Sequence, residues 1–110
     1  MNKANPQLPK EFILTNDFSS YAEEFLLSEL PISEMKSSES IVQGEDFYSI
    51  EVHKSIFDNC IFKACKFQKA SFIDVIFQSC DLSNTEFKDA YFERCRFISC
   101  KCMGINMSDT

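Results

Sequence analysis

The sequence predicts an all-β solenoid, and three observations lead to it. First, every fifth residue from position 47 onward is apolar: Phe47, Val52, Phe57, Phe62, Phe67, Phe72, Phe77, Leu82, Phe87, Phe92, Phe97, Cys102 and Met107. At 45% apolar composition, thirteen such hits in register arise by chance with odds of about 1 in 30,000. Second, the residue two places earlier is small or β-branched: Ser55, Cys60, Cys65, Ala70, Val75, Cys80, Thr85, Ala90, Cys95, Cys100 and Ile105. Third, the other places are mostly polar, as in Asp58 and Asn59, Lys66 and Gln68, Ser83 and Asn84, Glu93 and Arg94. A period of five matches neither a helix nor a flat strand. It suits a chain that turns a corner after each short strand segment, with one small and one large residue pointing into a narrow tube.

The units Cys60-Ile-Phe62-Lys-Ala64, Cys80-Asp-Leu82-Ser-Asn84 and Ala90-Tyr-Phe92-Glu-Arg94 resemble pentapeptide repeats, whose pattern is A/C-(D/N)-(L/F)-X-X. The resemblance covers residues 45–109. It implies a right-handed quadrilateral parallel β-helix of about four coils, with four pentads making each coil of roughly 20 residues.

Residues 1–24 read as an N-terminal cap segment and residues 25–110 as the β-helix. Within the latter, 25–44 form a degenerate first coil. Continuing backwards by fives gives Val42, Ser37, Ile32 and Leu27, with small-position mates Ser40, Met35, Leu30 and Phe25. Ser37 is the one member that suits a core poorly. A competing reading makes residues 20–30 a helix, begun by a capping box in Ser20-Tyr-Ala-Glu23 and stopped by Pro31. The two readings share a boundary near Ser20.

Charge spacing leaves the number of sides open. Residues 20 apart would pair Glu34/Lys54, Asp46/Lys66, Lys54/Asp74, Lys66/Glu86, Lys69/Asp89, Asp74/Arg94 and Asp81/Lys101, against one like pair, Asp89/Asp109. A three-sided coil, stacking residues 15 apart, also gives opposite pairs such as Lys66/Asp81 and Glu86/Lys101. The four-sided form is what the resemblance implies.

A chain of 110 residues is one domain. The first ten residues lack an apolar run, so no signal peptide is expected, and no stretch approaches a membrane span. Five of the six cysteines take the small inward slot and Cys102 a large one, as buried small hydrophobes. Cys60, Cys80 and Cys100 would stack in one column within disulfide reach, but reduced thiols in the cytoplasm are expected. No CxxC pair exists, and neither metal nor cofactor is expected.

The net charge is −6, and residues 1–54 carry all of it: ten acids and four bases there, seven of each in 55–110. No basic surface for nucleic acid is indicated. Lys63, Lys66, Lys69 and Lys88 are interleaved with Glu86 and Asp89, as on a solvated face.

No catalytic constellation is present. His53 is alone, at an outward position, and the acid pairs Glu23/Glu24 and Glu45/Asp46 have no pocket in view. Outward apolar residues are better clues. Ile56 and Ile76 would form a stripe, with Ile61, Ile73, Tyr91, Ile98 and Met103 elsewhere. Phe12, Ile13, Leu14, Phe18 and Tyr21 could cover that stripe from the chain's own N-terminus. The last coil would expose Phe87, Phe92, Phe97 and Cys102, partly covered by Met107. A homodimer through that coil, or a longer parent chain, would cover them. Ile56, Ile76, Phe92, Phe97 and Met107 are the candidate interface residues.

The expected function is a non-enzymatic protein–protein interaction module. The Cys-x-Phe pentads and Cys100-Lys-Cys-Met-Gly104 look like the quinolone-resistance branch, which implies binding of type II topoisomerases such as DNA gyrase by DNA mimicry. The chain departs from that branch in being short, in lacking a projecting loop between coils and in having neutral clear coils. The alternative is a structural adaptor, or part of a longer repeat protein, with no topoisomerase role.

Overall fold

A computed structural model describes residues 5–106. The chain winds as a parallel β-helix whose rungs from Ile32 onward pair at a constant offset of 20 residues: Ile32↔Val52, Ile41↔Ile61, Glu51↔Ser71, Ser71↔Tyr91 and Ile76↔Arg96; the first strand joins at 22, with Ile13↔Met35. Five residues per side and 20 per coil make four sides, which the charge pattern left open. Seven strands form one parallel sheet that bends round two sides of the tube. They are β1 (Ile13–Thr15), β2 (Ile32–Ser33), β3 (Met35–Ser38), β5 (Glu51–Asp58), β7 (Ser71–Gln78), β8 (Tyr91–Glu93) and β9 (Arg96–Ile98). β4 (Ile41–Gln43) and β6 (Ile61–Lys63) form the third side. Single bridges such as Asp46↔Lys66 and Lys66↔Glu86 hold the fourth.

The corners explain the period. Positive φ recurs at every fifth residue from Glu29 to Gly104, sixteen positions in succession. Only Gly44 and Gly104 are glycines; each of the other corners holds an L-residue in the left-handed region at a cost of about 1 kcal/mol or more. Asn59, Asp74, Asn84 and Asp89 are the residue types that tolerate it best. Several corners close as turns, with Ile50 N–H donating to Phe47 O (3.2 Å) and Ala70 N–H to Phe67 O (3.2 Å). Burial and ladder hydrogen bonds on every side outweigh the corner strain.

Inside the tube the large residues stack one coil apart. The rings of Phe47 and Phe67, Phe67 and Phe87, Phe57 and Phe77, and Phe72 and Phe92 lie 4.9–5.2 Å apart and within 17° of parallel. That distance is the strand spacing itself, and each such pair adds about 0.5–1.5 kcal/mol beyond its burial. Phe47, Val52, Phe57, Phe62, Phe67, Phe72, Phe77, Leu82 and Phe87 are at most 2% exposed. Cys60, Cys65, Ala70, Val75, Cys80, Thr85 and Ala90 are buried beside them. Phe92, Cys95 and Cys100 are partly buried. Phe97 and Cys102 depart from their core assignment. Phe97 stacks on Phe77 at 4.8 Å but is 39% exposed, and Cys102 is exposed. Among the described residues, no strand lies above β9 to cover them. Met107 lies outside the described residues.

The expected first coil from residue 25 is corrected at its start. Residues Phe18–Ser28 form helix α1, so Phe25 is helical, and Leu27 and Leu30 face solvent at 81% and 60% exposure. The helix is capped by Asp17, whose carboxylate accepts from Ser20 N–H (3.2 Å) and Ser20 Oγ (2.9 Å). Ser20 is therefore the third helical residue rather than the cap. Glu29, at φ 55°, ends the helix, with Leu30 N–H donating to Phe25 O and Glu29 N–H to Leu26 O. This left-handed stop precedes Pro31 and is also the first corner of the solenoid. Ile32, Met35, Ser37, Ser40 and Val42 then enter the core.

Candidate protein interaction surface

The cap closes the tube with Phe18 and Ala22, both fully buried, while Tyr21, Phe25 and Leu26 pack around them. Phe18 is completely buried, its ring 5.4 Å from Phe47, 5.0 Å from Phe57 and 5.7 Å from Phe62. Ser37 pairs with Phe57 in the ladder, so a large side chain there would occupy the volume that Phe18 fills. The one poor fit in the register is thus the opening for the plug. Ser37 Oγ lies 2.7 Å from Ser40 Oγ, which accepts from Phe18 N–H (3.0 Å).

The chain ahead of the cap crosses the outside of the main sheet. Gln7 N–H donates to Asp74 Oδ1 (2.9 Å), and Arg96 donates to Asn5 Oδ1 (3.4 Å), before β1 pairs with β3. This segment runs over the sheet that carries Ile56 and Ile76, both half-buried. Of the residues expected to cover the stripe, Ile13 and Leu14 instead face solvent and Phe18 enters the core.

Among the described residues, only one of the expected vertical charge pairs closes to an ion pair. Arg94 Nε and Nη2 donate to the two oxygens of Asp74 at 2.6 and 3.0 Å. Asp74 is 3% exposed. The hydrogen bond from Arg94, then the one from Gln7 N–H, hold its carboxyl below the usual range against the opposing effect of burial.

The cysteines do more than fill space. Cys60, Cys65, Cys80, Cys95 and Cys100 donate their thiol protons to carbonyls 23 residues earlier, at 3.1–3.6 Å. Thr85 Oγ1 does the same to Phe62 O at 2.7 Å. The recurrence of Ser, Thr and Cys in one slot was the available signal for a donor. All six thiols are free. The neighbouring Cys60 thiol, then burial, disfavours the thiolate of Cys80.

Chemistry is sparse. His53 Nε2 is enclosed and 3.8 Å from Glu51, with no hydrogen-bond partner. Among the described residues no group of three or more His, Cys, Asp or Glu is placed to hold a metal, and no helix is long and apolar enough to cross a membrane.

What remains is surface, and its N-terminal end is distinctive. Glu29, Glu34 and Glu39 occupy three successive corners of the first coil and are exposed. Glu23 and Glu24 stand exposed on α1. The Tyr21 hydroxyl is pushed up by burial and by Glu24.

A search of curated proteins finds no match. A family model for pentapeptide repeats, nine copies long, matches residues 53–109. That is more than half of the chain, over coils that pair at the 20-residue offset, and the chain belongs to the pentapeptide-repeat family.

Proposed function

We propose that this protein is a non-enzymatic protein-binding module whose contact surface is the acidic N-terminal end of the β-helix. Pentapeptide-repeat proteins are generally structural or interaction modules. The exposed Glu29, Glu34 and Glu39 at consecutive corners of the first coil carry the reading: carboxylates gathered at one end of a stiff coil steer and orient a basic partner. Affinity capture from a bacterial lysate tests it, comparing the wild type with Glu34→Lys/Glu39→Lys. A protein retained by the wild type and lost by the variant supports the module; no retained protein at low salt refutes it.

The finer form of the proposal is a type II topoisomerase partner, with the corner carboxylates standing where DNA phosphates would. A gyrase supercoiling assay with and without a quinolone decides it. A change in supercoiling or in drug sensitivity supports this partner, and no change under either condition removes it. A second reading, pairing of two copies through the last coil, is favoured by the bare outer face of Phe97. Light scattering that finds a monomer at high micromolar concentration overturns it.

A further inference from the structure

A groove runs between helix α1 and the Glu45–Glu51 stretch, made of two adjoining depressions of about 480 and 270 Å³ that share Leu26. Its apolar lining includes Leu26, Leu30 and the Tyr48 ring; Leu30 is 60% and Tyr48 49% exposed. Leu27, at the second depression, is 81% exposed. So much exposed apolar surface on one small face marks a contact site.

The charged residues that line it are all acidic. Glu29 and Glu51 line one depression, Glu23 and Asp46 the other, and no lysine or arginine lines either. Lys69, outside the lining, holds its ammonium 6.0 Å from the centre of the Tyr48 ring, so the partner's basic side chains are assigned to the carboxylates and not to that ring.

We propose that this groove docks a segment of a partner protein in which apolar side chains are flanked by lysine or arginine. The apolar side chains would seat along Leu26, Leu30 and Tyr48, and the basic ones would meet the carboxylates on the rims. A second copy of this chain fits poorly, because a two-fold contact through the same face would set carboxylates against carboxylates. The chain's own N-terminal segment is engaged elsewhere, at Asp74 and Arg96. The groove proposal rests on the protein-binding reading and names the place and chemistry of the contact.

The test uses the full chain and three short fluorescent peptides: leucine–lysine, serine–lysine and leucine–glutamate. The leucine–lysine peptide is expected to bind, to shift amide resonances of residues 23–30 and 45–51, and to weaken as salt rises. Leu30→Ser/Tyr48→Ser should weaken it about tenfold, as should Glu23→Lys/Asp46→Lys. Asp58→Lys/Asp89→Lys, an equal change of net charge on later coils, should leave affinity within about twofold. Equal binding of the serine–lysine peptide overturns the proposal, as does an equal loss in the Asp58/Asp89 variant or shifts that map elsewhere. Self-association abolished by Leu30→Ser/Tyr48→Ser would also overturn it, by assigning the groove to a second copy. If those groove substitutions leave lysate capture intact while Glu34→Lys/Glu39→Lys abolishes it, the groove assignment fails and the binding module stands.

Discussion

The cap with the first coil and the coils from Phe47 to Phe92 solve the same packing problem in different ways. In the later coils each large side chain comes from its own pentad and stacks on its counterpart one coil away. In the first coil the place above Phe57 belongs to Ser37, and a residue 19 positions earlier, Phe18, enters from the helix to fill it. A repeat can extend its core by copying itself. It can close its core only by breaking the copy, because an end has no further coil to cover it. The break carries the polar groups with it: Ser37 and Ser40 are buried and bonded to each other, and Ser40 Oγ accepts from the plug's N–H.

The largest expected effect tests whether the plug is as integral as a repeat phenylalanine. Phe18→Ala and Phe67→Ala should each cost about 3–5 kcal/mol in urea denaturation, as fully buried aromatic truncations do. A Phe18→Ala cost below about 1 kcal/mol would reduce the helix to a loosely docked appendage. Ser37→Phe alone should destabilise by about 1–3 kcal/mol through overpacking. Combined with Phe18→Ala it should recover stability relative to Phe18→Ala alone, since the new ring can take the vacated volume. Strict additivity in this double-mutant cycle would mean that the two residues do not share that volume.

Asp74 ties the N-terminal segment to the later coils, and its effect should come next. Asp74→Ala leaves Arg94 and Gln7 N–H without their shared acceptor and should cost about 1–3 kcal/mol near neutral pH. The carboxyl's pKa is lowered in the folded protein, first by Arg94. Its stabilisation is therefore present above the unfolded value of about 3.9 and is lost as pH falls through the lower folded value. The stability gap between wild type and Asp74→Ala should accordingly narrow below about pH 4. A gap that does not change with pH would break the argument.

A smaller effect separates the donors of the small slot from its fillers. Thr85→Val keeps the shape but leaves Phe62 O without its Thr85 donor, for about 1–2 kcal/mol. Ala70→Ser, at the same slot with no native donor, should show no comparable loss or gain. The smallest effect concerns the corners. Ala64 sits at φ 55°, so Ala64→Gly should stabilise by up to about 1 kcal/mol as strain is released. An unchanged melting temperature would mean that the strain released is matched by the greater freedom of glycine in the unfolded chain.

Much of the tube was legible because its information is local. A pentad contains its own inward pair and its own corner, so Phe47 to Phe87 and Cys60 to Ala90 could be assigned from spacing alone. Helix α1 was visible as one of two readings, but its residues also satisfied the five-residue register, since Leu27 and Leu30 are apolar whichever way they point. The groove beside the helix was not legible, because its two walls are about twenty residues apart and become neighbours only after one full turn of the solenoid.

The sequence by itself determined the five-residue period, the all-β solenoid class, the inward positions of the middle coils and the excess of acid in the first half. These follow from side-chain type at fixed spacing. The tertiary structure alone decided the rest. The 20-residue offset, which the family resemblance implied and the charge spacing left open, was settled by the backbone pairing. Phe18 was chosen as the plug by a vacancy at Ser37, and Glu29, Glu34 and Glu39 became exposed corners of one coil. Each of these depends on residues distant in the chain meeting in space, and a local period carries no record of such meetings.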